Sequence, residues 1–174
     1  MHKFALLLVL FLVAPVRAAE THVPNEVATH VPGAQVLVSA RFSFMLWDLY
    51  DATLYTAGSG SKLAVPFALR LQYLMNLSGR DIANRSIEEI RDGSSLSEIK
   101  LAQWHGQLRS IIPDVKAGDN ITGVVDAGLT THFYKNGQLL GAIHDPAFTM
   151  VFFNIWLGRN GTDQSLRNKL VKIN

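Results

Sequence analysis

Five polar side chains, Arg41, Asp48, Tyr50, Asp51 and Tyr55, stand within two stretches that otherwise read as strands. A guanidinium on a strand facing a helical layer needs an anion, because burying it unpaired is very costly. Two chemistries meet that need. Asp48 or Asp51 can pair with Arg41 inside the protein, which charge pairing alone favours, or a ligand carboxylate or phenolate can be held bidentately. The hydroxyl of Thr149, in the first turn of an apolar helix, either backs that helix's cap or faces a cavity. Arg41 and Thr149 are therefore the residues whose own chemistry leaves a ligand-binding role open. The chain has no cysteine nucleophile, no G-x-S-x-G, no H-E-x-x-H and no phosphate-cradling glycine loop, so no catalytic residue is assigned. Thr-His-Val-Pro occurs at 21–24 and again at 29–32, but His22 and His30 match no metal-ligand spacing. No metal and no cofactor is expected.

The elements that must position these groups centre on residues 132–158. Asn136-Gly137 supplies the positive φ angles of a type I′ turn, predicting a hairpin of Thr131–Lys135 with Gln138–Ile143. Asp145 suits an N-cap and Pro146 the first helical position, so a helix is expected over Pro146–Leu157, stopping near Gly158. Its residues are apolar nearly all round, which predicts burial on every side. Upstream, 34–44, 45–55 and 67–75 read as strands, the last with Phe67, Leu69, Leu71, Tyr73 and Met75 on one face and Arg70 and Gln72 on the solvated other. Ser78-x-x-Asp81 opens a helix to about Arg91, with Ile82, Ser86, Ile87 and Ile90 inward and Arg85, Glu88 and Glu89 toward water. Ser95-x-x-Glu98 opens another through Leu101, Trp104, Leu108 and Ile111. A strand over 120–127 and a last helix, capped at Thr162 or Asp163 with Leu166, Leu170 and Ile173 inward, complete the order. Strands in two runs with helices in two blocks give an α+β class, an antiparallel β-sheet covered on one face by a layer of α-helices.

The first 18 residues carry Lys3, an apolar run over 4–13 and Val16-Arg17-Ala18, the pattern of a secretory signal peptide cut before Ala19. The run is too short to span a bilayer comfortably. Cleavage removes Lys3 and Arg17, leaving 14 basic against 14 acidic residues of the original 16 and 14. The mature chain is then formally neutral, with no basic stripe to suggest nucleic acid or an anionic membrane surface, and no stable membrane insertion is expected. An exported chain with 0 cysteines is held by packing alone and suits a bacterial periplasm. The expected organisation is a signal peptide over 1–18, a loosely held N-terminal arm over 19–33 and one domain over 34–174.

RFSFMLWDLYDATLY (41–55), FALRLQYLMNLSGRDIANRSIEEIR (67–91), IPDVKAGDNITG (112–123) and FYKNGQLLGAIHDPAFTMVFFNIWLG (133–158) carry a resemblance to the chalcone isomerase-like family, exported bacterial branch, extending over about 33 to 170. The resemblance implies an open-faced sandwich with a ligand cleft between sheet and helices. Plant members close a chalcone with an arginine, a strand threonine, a tyrosine, an asparagine and a threonine or serine. Arg41 matches the arginine, Tyr50 the strand threonine and Thr149 the final hydroxyl, whereas Ile82 and Glu89 replace the tyrosine and asparagine. Ile82 cannot polarise a ketone, and Glu89 would repel a phenolate.

Non-catalytic relatives bind fatty acids through an arginine and a tyrosine, roles that the resemblance hands to Arg41 and Tyr50. The expectation is thus a periplasmic binder of a small apolar or fatty acid-type (carboxylate) ligand, without catalysis and with protein partners undefined. One alternative is an isomerase or lyase acting on an unsaturated carbonyl compound, with Arg41 and Tyr50 stabilising oxyanion charge. A second is a filled-core module acting through its surface on a periplasmic protein, its cleft closed by side chains such as Trp47, Trp104 and Trp156. N-terminal sequencing of exported protein is expected to begin at Ala19; an uncut Met1 refutes the leader and the neutral charge together.

Overall fold

Asn136 and Gly137 have φ of 50° and 83°, the paired left-handed conformation that joins two strands directly. They connect β5 (Thr131–Lys135) to β6 (Gln138–Ile143), the last two of six antiparallel strands. The others are β1 (Ala34–Phe44), β2 (Trp47–Ala57), β3 (Phe67–Tyr73) and β4 (Asn120–Val125). Their order in the sheet is their order in the chain. This computed structural model describes residues 22–57, 64–158 and 167–169. The leader, the glycine- and serine-rich run over 58–61 and the expected cap and stripe of the last helix lie outside them.

Between β3 and β4 the chain forms α2 (Gly79–Gly93) and α3 (Glu98–Ile111), then returns to the neighbouring position in the sheet. Ser78 caps α2 by accepting from Asp81 N at 3.1 Å. A Cβ on Gly79 would overlap the carbonyl oxygen of Ile112, so glycine lets α2 start hard against the end of α3. The cap of α3 is Ser97, which accepts from Lys100 N at 3.3 Å, rather than Ser95. The Ser95–Glu98 spacing misleads because Leu96 packs against the core before the helix begins, and Glu98 instead forms an ion pair with Arg91 at 3.0 Å.

The core lies between the sheet and α2, α3 and α4 (Pro146–Leu157). α4 buries one stripe, Phe148, Thr149, Phe152, Phe153 and Trp156, and leaves Met150 60% exposed. The expectation of burial all round is therefore corrected. A helix in the outer layer turns one face outward whatever its composition, and Val151 and Ile155 are only half-buried along its flanks.

The N-terminal segment is also corrected, because residues 25–30 form a helix, α1 (Asn25–His30), seated on the far face of the sheet. Val27 and Val31, four apart on one side, are fully buried against Tyr55, Ala68 and Val124. Glu26 fixes this seat by accepting from Thr122 Oγ1 at 3.1 Å. His30 lies 2.8 Å from the Tyr134 hydroxyl and stacks on His132 with ring centroids 4.7 Å apart. The main helical layer thus covers one face, with α1 as a patch on the other, and the α+β class stands.

Asp145 joins α4 to α3. One carboxylate oxygen accepts from Ala147 N at 3.0 Å and Phe148 N at 3.4 Å. The other accepts from Trp104 Nε1 at 3.0 Å and pairs with Lys100 Nζ at 2.6 Å. Lys100 first, then Trp104 and the two amides, hold its pKa below the ordinary 3.8. A depressed carboxyl contributes stability that is complete above its unfolded pKa and lost as pH falls through the folded one. Asp145→Ala is expected to cost about 2–3 kcal/mol, from the cap and the abandoned indole N–H. Urea denaturation should show the deficit in full above pH 3.8 and shrinking below it.

Candidate ligand-binding site

The alternation of β1 decides which of its residues can meet a ligand. Val38, Ala40, Phe42 and Phe44 share the inner face, so Arg41 points outward. Arg41 is 53% exposed and held by two acids across the β1–β2 pair. Its Nε and Nη2 donate to the two oxygens of Asp51 at 2.7 and 2.9 Å, and its Nη1 to Asp48 at 3.0 Å. Ser43, 2.5 Å from Asp48, and then Arg41 keep that carboxyl below its usual range. The assignment of Arg41 to the cleft is corrected. Its anions are on neighbouring positions of the same solvent-facing side, and its charge is not buried.

Thr149 is buried and lines neither of the two cavities formed by the described residues. Its hydroxyl donates to Leu129 O at 2.7 Å, so the 2.8 Å bond with Thr131 must be donated by Thr131. These bonds pin the first turn of α4 to the loop before β5, where Leu129 has a φ of 62°.

Tyr50 does reach a cavity. A space of about 350 Å³ opens between the inner face of β1–β3, one stripe of α2 and the end of α4. Tyr50, Leu71 and Tyr73 form its floor, and Ile155 and Trp156 a wall. Trp156 Nε1 donates to the Tyr50 hydroxyl at 2.9 Å, which fixes the wall to the floor. Phe42 stacks on Tyr50 at 5.1 Å and, with Phe44, forms the rim toward the β1–β2 turn. Burial pushes the Tyr73 hydroxyl pKa up, keeping it neutral.

The α2 stripe carries the polar mouth: Asp81, Ile82, Arg85, Ser86 and Glu89 recur at helical spacing. Ser86 spends its proton on Ile82 O at 2.8 Å. Arg85 forms an ion pair with Glu89 and a longer one with Glu88 at 3.5 Å. Glu89 is only 12% exposed against 61% for Arg85. Burial raises the Glu89 pKa above 4.5 despite the neighbouring guanidinium.

Tyr50, Ile82 and Glu89, which the resemblance set in correspondence with a family site, are therefore brought together, whereas Arg41 and Thr149 are not. Sequence reasoning missed Arg85, which amphipathicity sends to water. Its spacing from Ile82 and Glu89 was the available signal. On the far face a groove beneath α1 is polar instead, with Arg70 Nε and Asn120 Oδ1 buried and without hydrogen-bond partners. Among the described residues no group of three or more His, Cys, Asp or Glu side chains could hold a metal ion.

The chalcone isomerase-like family model matches residues 38–171. The chain belongs to that family. No curated protein is similar enough in sequence to count as a relative. Among solved structures, a fatty-acid binding protein of Arabidopsis thaliana superposes with a TM-score of 0.62 at 14% identity. The match covers 82% of this chain and 89% of that one, a likeness of fold.

Thr149→Val is expected to cost about 1–3 kcal/mol, because it strands the Thr131 hydroxyl and Leu129 carbonyl, and to leave affinity for a carboxylic acid unchanged. Arg41→Ala should alter neither stability nor affinity appreciably. Thermal melts and acid titrations on both variants check this. A loss of affinity without a matching loss of melting temperature would return that residue to the site.

Proposed function

We propose that this is an exported, periplasmic, non-catalytic binder of a fatty acid-type ligand. The tail occupies the apolar cavity and the carboxylate lies at the mouth beside Arg85. The observation that carries the reading is the pairing of an apolar interior with Arg85, the one cation among the described lining residues. About 350 Å³ falls at the low end of the ~300–1,000 Å³ of small-molecule sites, which suits one acyl chain of medium length. The fatty-acid binding protein of Arabidopsis thaliana with the same fold agrees in ligand class.

The filled-core alternative loses its premise, because none of the three tryptophans plugs the space. Trp47 is 69% exposed, Trp104 lies in the core and Trp156 forms a wall. The isomerase alternative finds Ile82 on the lining where plant enzymes carry a tyrosine, and a poorly hydrated acid at Glu89.

Binding a carboxylate here means exchanging it for Glu89 as the partner of Arg85. An acid whose pKa is raised by burial is neutral over a wider range, and while neutral it leaves the guanidinium to the ligand. Above its titration Glu89 is anionic, holds Arg85 and repels the incoming carboxylate. Affinity for ionised dodecanoate is therefore expected to fall as pH rises through the Glu89 titration, which lies above 4.5. Glu89→Gln should tighten binding and remove that dependence. Arg85→Met should weaken it roughly three- to tenfold, below the range for buried charge-assisted bonds because Arg85 is largely solvated. Calorimetric titration across pH measures all three. Equal affinity in Arg85→Met and the unsubstituted protein overturns this site, and no dodecanoate binding at any pH overturns the function.

A further inference from the structure

The turn joining β1 to β2 exposes four consecutive apolar residues: Phe44 is 58% exposed, Met45 84%, Leu46 96% and Trp47 69%. Turn residues ordinarily favour glycine, proline, asparagine, aspartate and serine, each for a conformational or hydrogen-bonding reason. Met45 instead holds a φ of 55°, a conformation uncommon for a side chain of its size. The apolar content of this tip therefore serves something other than the turn.

Three observations specify what covers it. The tip projects into solvent, as an exposure of 96% at Leu46 requires, and all four of its consecutive residues are apolar, so a flat protein surface would leave part of it wet. A fluid bilayer interface closes around such a shape. Second, the apolar run ends sharply: Ser43 and Asp48 flank it and bond to each other at 2.5 Å, and Trp47 stands at that boundary. An indole beside a polar collar matches the placement of tryptophan at the level of lipid headgroups. Third, Phe44 belongs both to the tip and to the cavity lining, so the apolar surface runs unbroken from the turn into the cavity.

We propose that the β1–β2 tip docks reversibly on a lipid membrane, so that an acyl chain passes between bilayer and cavity along Phe44 without crossing water. The direction of transfer rests on the ligand-binding function proposed above, whereas docking itself does not. It is a shallow, peripheral contact. Among the described residues no helix is long and apolar enough to cross a membrane. Its driving force is apolar, because the charges behind the tip, Arg41 with Asp48 and Asp51, are already paired and sum to one negative. Vesicles of zwitterionic phosphatidylcholine should therefore bind at least as well as vesicles containing phosphatidylglycerol, with little change between low and high salt.

The test uses mature full-length protein with phosphatidylcholine vesicles, some carrying a brominated acyl chain. Trp104 is fully buried and Trp156 6% exposed, so bromine quenching of the emission reports Trp47. Wild type is expected to sediment with vesicles and to be quenched. Leu46→Asp should lower partitioning by about tenfold or more while melting temperature and affinity for dissolved dodecanoate stay unchanged. Trp47→Phe should keep partitioning and lose the quenching. Failure of wild type to bind any vesicle, with dodecanoate binding intact, overturns the docking and spares the function. Vesicle binding without dodecanoate binding does the reverse. Self-association that Leu46→Asp abolishes, with no vesicle binding, assigns the tip to a second copy and overturns the proposal.

Discussion

Asp145 uses its two carboxylate oxygens for different neighbours, one for the opening amides of α4 and the other for the Trp104 indole and Lys100 of α3. This arrangement decides where the helical layer lies. With the first turn of α4 fixed there, Phe148 meets Trp104 edge-on at 5.5 Å, and Phe152 and Trp156 follow along the buried stripe. Trp156 is carried to the position where its indole reaches Tyr50. The cavity wall is thus placed by a helix cap about three turns away. The Thr149 bonds to Leu129 and Thr131 fix the same first turn from the sheet side, so α4 has two directional ties on an otherwise apolar inner face.

The cavity is governed by an imbalance of hydration at its mouth. Arg85 is mostly solvated and remains charged at little cost, while Glu89, four residues on, is mostly buried and is charged only against resistance. A pair divided in this way is easily separated by an anion that brings its own apolar tail. The Arg41 cluster shows the opposite case: two acids and a serine hold a guanidinium so completely that it offers nothing to a ligand.

Local signals held at the hairpin turn and at the start of α4, and erred by two residues at the start of α3, where Ser97 caps instead of Ser95. Asn136-Gly137 and Asp145-Pro146 specify their turn and cap through backbone conformation and a side-chain acceptor within three residues, and both were legible to the residue. The side of the sheet on which a polar strand residue falls was not. It depends on register, and the bulge between Phe42 and Ser43 shifts the phase of the β1–β2 pairing beside Arg41. Val27 and Val31 fit one helical turn, but two prolines in a short polar stretch suggested a loose segment, and only the facing Ala68 and Val124 explain the packing. Tyr50, Ile82 and Glu89 are far apart in the chain, and family correspondence placed them where periodicity could not. Arg85 was hidden by amphipathicity, because a long charged side chain on a helix flank reads as solvent-facing even when its head rims a cavity.

Strand order that follows chain order has a kinetic side. Each ladder of the sheet pairs consecutive strands, and four of the five are joined without a long excursion, so most of the sheet can zip up by short loop closures. The bond between Trp156 and Tyr50 instead spans 106 residues, and it gains support only after α4 has docked. The closing wall of the cavity is accordingly assembled from long-range contacts. Sub-global opening can swing the end of α4 away while the strands keep their amide protons, opening the cavity through motions much smaller than unfolding.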